Sequence, residues 1–266
     1  MVNARGWAAV ERLAAEAGPG RTVAVAARRR ADGQSWSLRG DRLFPAASTI
    51  KVPVLAALHR AADAGDLDLR ERRGIESADR VIGSGVLNWM SPHVTLPLED
   101  FAYLMIAISD NTASNVCIAA VGRERVQQTM AALGMTQSRL ERRFLGRLPT
   151  PEEGENRVTA DDLVALLAAI GEDRAASPAA CARMREVLGL QQYRDMLPRR
   201  LPEDVTFAGK SGWLPGLAHD CGLLTGPGGT LAAAILTEGF DDPYEAHVLA
   251  GAVGAALVEE TGIGGS

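Results

Sequence analysis

Lysine is almost missing from this chain. Of its 28 basic residues, 26 are arginines, and the two lysines stand at positions 51 and 210. Arginine stays protonated in proteins, whereas a lysine out of water or beside another cation can lose its proton and serve as a base. A sequence that uses arginine for every general purpose and keeps Lys51 and Lys210 reads as needing two amines. Cysteine is scarce too. Cys117, Cys181 and Cys221 cannot all pair, and their spacing fits neither a zinc site nor a CxxC redox motif. They read as small reduced core residues. Cys221 follows His219 and Asp220, but residues i and i+2 of a strand share a face from which Asp220 would point away, which argues against a thiol triad. The four histidines (His59, His93, His219, His247) are scattered with no HxxxH pair, so neither a metal nor a cofactor is expected.

Excess positive charge is also lacking. The formal net charge of −5 argues against a nucleic-acid or anionic-membrane partner and leaves a small molecule as the expected ligand. No apolar run approaches the ~20 residues of a membrane span. The opening stretch MVNARGWAAVERLAAEAG has no basic segment leading into an apolar one and a small-residue cleavage site, which predicts a cytoplasmic protein. What is present is ample core material: 47% apolar residues over 266 positions suit one large domain or two interleaved subdomains.

Periodicity divides the chain into three parts. Residues 3–17 alternate as an amphipathic helix and stop at Gly18-Pro19-Gly20. TVAVAARR (22–29) and SWSL (35–38) flank Ala31-Asp32-Gly33, a hairpin signal. From 49 to about 190 the pattern is helical almost throughout, clearest at 52–65, 98–108, 112–121, 124–133, 159–170 and 178–189. After 204, VTFAGKSGW, GLLTG and TLAAAILTEG read as strands, the last two joined at GPGG, and 243–261 is again helical. The economical architecture is α/β (α+β): one antiparallel sheet built from both chain ends, with flanking helices and a helical insert. A single domain 1–266 is expected, with 1–47 and 191–266 as its α/β part and 48–190 as its all-helical part.

Three short motifs can carry chemistry. In PAASTIKVPVLAAL (45–58) Ser48 precedes an apolar helix and Lys51 lies one turn on, on the same face. A serine hydroxyl is a poor nucleophile until a base takes its proton, and a neutral lysine can do that. Ser48 as a helix cap and Lys51 as a solvated first-turn residue is the plainer alternative. In ISDNTASN (108–115) the Ser-Asp-Asn trio is equally a helix-start signal or a functional group: Ser109 shuttling a proton to a leaving group, Asn111 holding a carbonyl, Asp110 fixing the loop. In AGKSGW (208–213) a strand glycine allows close backbone approach, and Lys210 would either supply positive potential toward Ser109 and a substrate carboxylate or merely protect a sheet edge.

Together, in this order, S-x-x-K, S-D-N and K-[ST]-G resemble the class A β-lactamase family and its penicillin-recognising serine-enzyme relatives. GSGVL at 83–87, the helix before Ser109 and NRVTADDLVALL at 156–167 look like that family's landmarks as well. The resemblance implies a three-layer sandwich with a helical lobe and the active site at their junction. It implies an acyl-enzyme on Ser48, with Lys51 as base or proton relay and Ser109 protonating the departing nitrogen with help from Lys210. The backbone N–H groups of Ser48 and Trp213 would form the oxyanion hole, and Asn111, Ser211, Gly212 and Trp213 would line the cleft. Apart from the resemblance, the tryptophans Trp89 and Trp213 read as bordering a partly apolar cleft or as core residues.

The pattern breaks in one place. The family's water-activating glutamate follows an arginine by two positions; with Arg142 as the match in LERRFLGRLPTPEEGENR (140–157), Phe144 stands there. An aromatic ring cannot deprotonate water. Glu141, Glu152, Glu153 and Glu155 are close in sequence and read as solvated loop carboxylates unless one swings in. The family's arginine–aspartate tie would become a weaker Arg142–Asn156 hydrogen bond. No arginine accompanies the strand at 217–225, where many β-lactamases bind the substrate carboxylate; Asp220 is there instead. Three readings follow: a hydrolase with altered deacylation, an ATP-independent acyltransferase, or a β-lactam binder that acylates and stalls.

Overall fold

The computed structural model describes residues 7–265. The elements in chain order are α1 (Ala8–Glu16), β1 (Thr22–Arg29), β2 (Ser35–Leu38), β3 (Phe44–Pro45), α2 (Lys51–Asp63), β4 (Arg72–Gly74), β5 (Thr95–Pro97), α3 (Leu98–Ala107), α4 (Asn111–Val121), α5 (Arg123–Ala132), β6 (Arg157–Val158), α6 (Ala160–Gly171), α7 (Pro178–Gly189), β7 (Thr206–Leu214), β8 (Leu217–Gly226), β9 (Gly229–Glu238) and α8 (Pro243–Thr261). The helix expected over 3–17 corresponds to α1; residues 3–6 of it lie outside the described residues.

The sheet is antiparallel in the order β2-β1-β9-β8-β7, so strands from the two chain ends meet where β1 pairs with β9. Both faces of that sheet are covered, and alternation sorts the side chains between two cores. Val23, Val25 and Ala27 join Ile235 and Leu257 on the α8 side, while Ala24 and Ala26 join Leu236 and the helices of the middle segment. α1 and α8 thus form one outer layer and α6 packs on the opposite face, which makes the mixed α/β sandwich expected from the pattern. The predominantly helical middle also carries short ladders: β4 pairs with β5, and β6 reaches back to β3. Ladders of two or three residues have no period long enough to read in a sequence.

β7 is the edge strand beside the three-ten turn Ala47–Ile50 that feeds α2. At Gly212 the two backbones nearly touch, since a Cβ there would lie 2.5 Å from the Ser48 nitrogen. Only glycine allows that approach. The site forms along this contact.

Candidate active site

Ser48 sits in the three-ten turn and its side chain caps no helix. The preceding residue, Ala47, holds φ at 45°, a left-handed conformation that costs a non-glycine residue about 1 kcal/mol. Ser109 is itself held the same way, at φ 57°. Both residues line one cleft, and backbone strain of this kind clusters at functional sites.

Neither lysine is a surface residue; both are 0% exposed. Lys51 Nζ meets the Ser109 carbonyl oxygen at 2.7 Å, the Ser109 hydroxyl at 3.0 Å and Asn111 Oδ1 at 2.9 Å. None of these bonds reaches Ser48; the amine is shared out over the Ser-Asp-Asn loop. Burial first, and the Lys210 charge second, hold Lys51 well below the ordinary lysine range, against a smaller pull from Asp110. Lys210, on the edge strand, turns inward and donates to the Ser211 carbonyl at 2.6 Å rather than to Ser109. Burial lowers it to about 8, and Asp220 pulls the other way.

Asp110 does what its position in the trio suggested. Its carboxylate caps α4 through the Ala113 N–H at 2.8 Å and accepts the N–H groups of Val86 and Leu87 at 2.7 and 2.9 Å. Those bonds seat the GSGVL loop on the site. Gly83 and Gly85 lie at φ 116° and 101°, and a Cβ on either would strike Asn111 or Asp110. With its oxygen on Lys51, Asn111 keeps its N–H donors for the cleft side.

The cleft has a volume of about 570 Å³, within the range of small-molecule sites. Ser48, Ser109, Asn111, Lys210, Ser211, Gly212 and Trp213 all line it. The family model of the β-lactamase enzyme family matches residues 7–261. The chain belongs to that family. Its fold is of the class A β-lactamase type. A crystal structure of a β-lactamase from Sphaerobacter thermophilus is 39% identical, covers 96% of this chain and 98% of its own, and superposes with a TM-score of 0.92. A point mutant of PBP-A, solved as an acyl-enzyme complex with penicillin G, is 27% identical over 95% of both chains with a TM-score of 0.84. A β-lactamase from Rhodobacter capsulatus is 37% identical over 111 residues, a match spanning 41% of this chain and 38% of that relative.

Phe144, the residue expected at the family's glutamate position, lies inside the site. The Phe144 ring lies against Lys51, its centroid 4.4 Å from Nζ. Asn115 fixes it there: Asn115 Oδ1 accepts the Phe144 N–H at 2.9 Å and Nδ2 donates to the Phe144 carbonyl at 3.0 Å. Nothing in the sequence singled out Asn115 beyond its place in the helix. Of the four nearby glutamates only Glu155 lines the cleft, and it is paired with Arg142 at 2.7 Å. Glu153 is tied to Arg147, which holds it down to about 2. Glu141 accepts the Glu155 N–H, and Glu152 is exposed on the loop. The expected Arg142–Asn156 hydrogen bond forms, but through the arginine backbone: Asn156 Oδ1 accepts the Arg142 N–H at 3.0 Å and Nδ2 donates to the Arg142 carbonyl at 3.1 Å. The arginine side chain makes its ion pair with Glu155, one residue earlier, and Asn156 Oδ1 also accepts the Glu141 N–H.

Two other expectations resolve. Trp213 borders the cleft at 59% exposure, but Trp89 does not; it stands 78% exposed on a separate three-ten turn. His219, Asp220 and Cys221 form no triad. His219 bridges the Pro45 carbonyl at 2.9 Å and the Thr237 N–H at 3.2 Å, while Asp220 accepts the N–H groups of Leu197 and Cys221. The histidine bonds brace the turn before Ser48. No helix among the described residues is long and apolar enough to cross a membrane.

Proposed function

We propose that Ser48 is acylated by a β-lactam or a related amide or ester carbonyl, and that water releases the acyl group slowly because Phe144 takes the place of the family's water-activating carboxylate. The observation that carries this reading is the Phe144 ring packed on Lys51. It leaves the acylating residues intact and fills the deacylating position with hydrocarbon.

Neutral Lys51 takes the Ser48 proton, and the freed oxygen attacks the carbonyl carbon. The oxyanion accepts N–H bonds from Ser48 and Trp213, each worth about 3 kcal/mol in the transition state. The C–N or C–O bond breaks as Ser109 passes its proton to the departing atom. Lys51, 3.0 Å from the Ser109 hydroxyl, returns the proton it took. Lys210 supports the Ser109 end with its charge.

A second reading, transfer of the acyl group to an amine or alcohol, is favoured by the same wall. A cleft of about 570 Å³ whose lining carboxylate, Glu155, is tied to Arg142 leaves room for an acceptor. Burst kinetics with penicillin G and with p-nitrophenyl acetate test both. A Ser48-dependent burst of one equivalent followed by slow turnover supports the main reading, and faster turnover on adding amines or alcohols supports transfer. A burst that survives Ser48→Ala would remove Ser48 as the nucleophile.

A further inference from the structure

Gln191 lies just beyond α7, in a stretch with no motif and no clear period. Its backbone is pinned by the Leu188 carbonyl, and its neighbour Gln192 by the Ala107 carbonyl, so its side chain is delivered from a fixed point. That side chain is buried, and its Nε2 donates to the Ser211 hydroxyl at 3.2 Å. Its Oε1 is buried without a partner.

The orientation has a chemical consequence. Turning the amide over would set Oε1 on Ser211 and leave both Nε2 hydrogens without a partner, whereas the present orientation leaves one of them and Oε1, and an orphaned buried N–H is the rarer state of the two. With Nε2 donating, the Ser211 oxygen is an acceptor toward Gln191 and its hydrogen must point elsewhere. Asp220, opposite Ser211 in the sheet register, accepts the Leu197 and Cys221 N–H groups and makes no hydrogen bond with the Ser211 hydroxyl. Among the described residues the Ser211 hydrogen has no acceptor, and Ser211 lines the cleft.

We propose that Gln191 is a positioning residue that locks Ser211 as a hydrogen-bond donor into the cleft beside Lys210, so that this wall selects acyl donors bearing an anionic or strongly accepting group. It rests on the acylation of Ser48 proposed above. The device acts without touching substrate.

The test compares the second-order acylation rate constants for penicillin G, which carries a carboxylate, and for p-nitrophenyl acetate, which does not. In Gln191→Met, close in shape and unable to donate, the ratio of the two constants should fall about fivefold to tenfold, the size of one hydrogen bond to a charged group. Gln191→Glu, which can only accept, should lower it further. On a Ser211→Ala background Gln191→Met should cause no additional fall. An unchanged ratio, an equal loss for both reagents, or a Gln191 effect that persists without the Ser211 hydroxyl would overturn the proposal. If neither reagent labels wild-type Ser48, the acylation reading falls first and this inference with it.

Discussion

The Phe144 ring centroid lies 4.4 Å from Lys51 Nζ, at the position where the family's water-activating glutamate is expected. A carboxylate there would give the amine a counter-charge and a water molecule a base. The ring supplies only the attraction of its face for a cation, about 0.5–2 kcal/mol, and no proton acceptor. In the proposed reading this contact separates two half-reactions: the amine still serves Ser48, and water has no activator at this position.

That contact is expected to show in the pH dependence of acylation. With neutral Lys51 as the proposed base, acylation should rise with pH through the lysine's depressed pKa. The ring favours the cation, and Phe144→Leu keeps apolar volume without it. This variant should move the acid limb down by roughly half a pH unit to one unit. Stopped-flow burst rates from pH 5 to 9 would show it, and a limb that stays in place would mean the ring does not feel the charge.

The two lysines should respond differently to arginine. Lys51→Arg keeps the charge and removes the base, so acylation should drop by about 10²–10⁴. Lys210 contributes as a cation and sits at about 8, so activity should decline above that pH as its charge is lost. Lys210→Arg should retain most of the activity and push the alkaline limb upward. Retained acylation in Lys51→Arg would end the proton-transfer role.

Gly212 offers a test of the oxyanion hole that leaves every named catalytic side chain in place. A Cβ there would lie 2.5 Å from the Ser48 nitrogen and 3.0 Å from that of Thr49. Gly212→Ala must push β7 away from the Ser48 turn and separate the two donors. Burst rates should fall by about 10²–10³ with circular dichroism unchanged. A loss under threefold would place the oxyanion elsewhere.

His219 makes a prediction about stability. Burial lowers it from 6.5 to about 4, and the neutral ring donates from Nε2 to Pro45 and accepts at Nδ1 from Thr237. The unfolded chain binds more protons between 4 and 6.5, so this histidine withdraws stability as pH falls through that window, by at most about 3 kcal/mol. Asp220, raised by burial from 3.8 to about 7, acts oppositely: its contribution is fully present below 3.8 and is lost as pH rises through about 7. Comparing urea midpoints of the wild type and His219→Gln at pH 7 and pH 5 isolates the histidine. The variant should lose less on acidification, and equal losses would contradict the assignment.

Much of this site was legible because its chemistry rests on local motifs. Ser48 and Lys51 share one turn, Asp110 caps the helix that it begins, and the rarity of lysine marked both amines. The period-two and period-3.6 patterns placed the long strands and helices to within a few residues. What was hidden depends on the third dimension. Trp89 and Trp213 are alike in sequence, and only the fold sends one to the cleft and the other to solvent. Arg142 bonds Asn156 with its backbone and Glu155 with its side chain, a division that no residue pattern shows. Asn115 and Gln191 act through residues 29 and 20 positions away, at separations no motif spans.

Whether Phe144 is what slows release of the acyl group is tested most directly by intact-protein mass spectrometry. Wild type, Ser48→Ala and Phe144→Glu are mixed with penicillin G, the excess is removed, and the adduct mass is followed over time. The wild-type adduct should form, require Ser48 and persist, while Phe144→Glu should acylate and then clear its adduct at least about tenfold faster. Equal lifetimes in the wild type and Phe144→Glu, with both acylated, would contradict a deacylating role for this position.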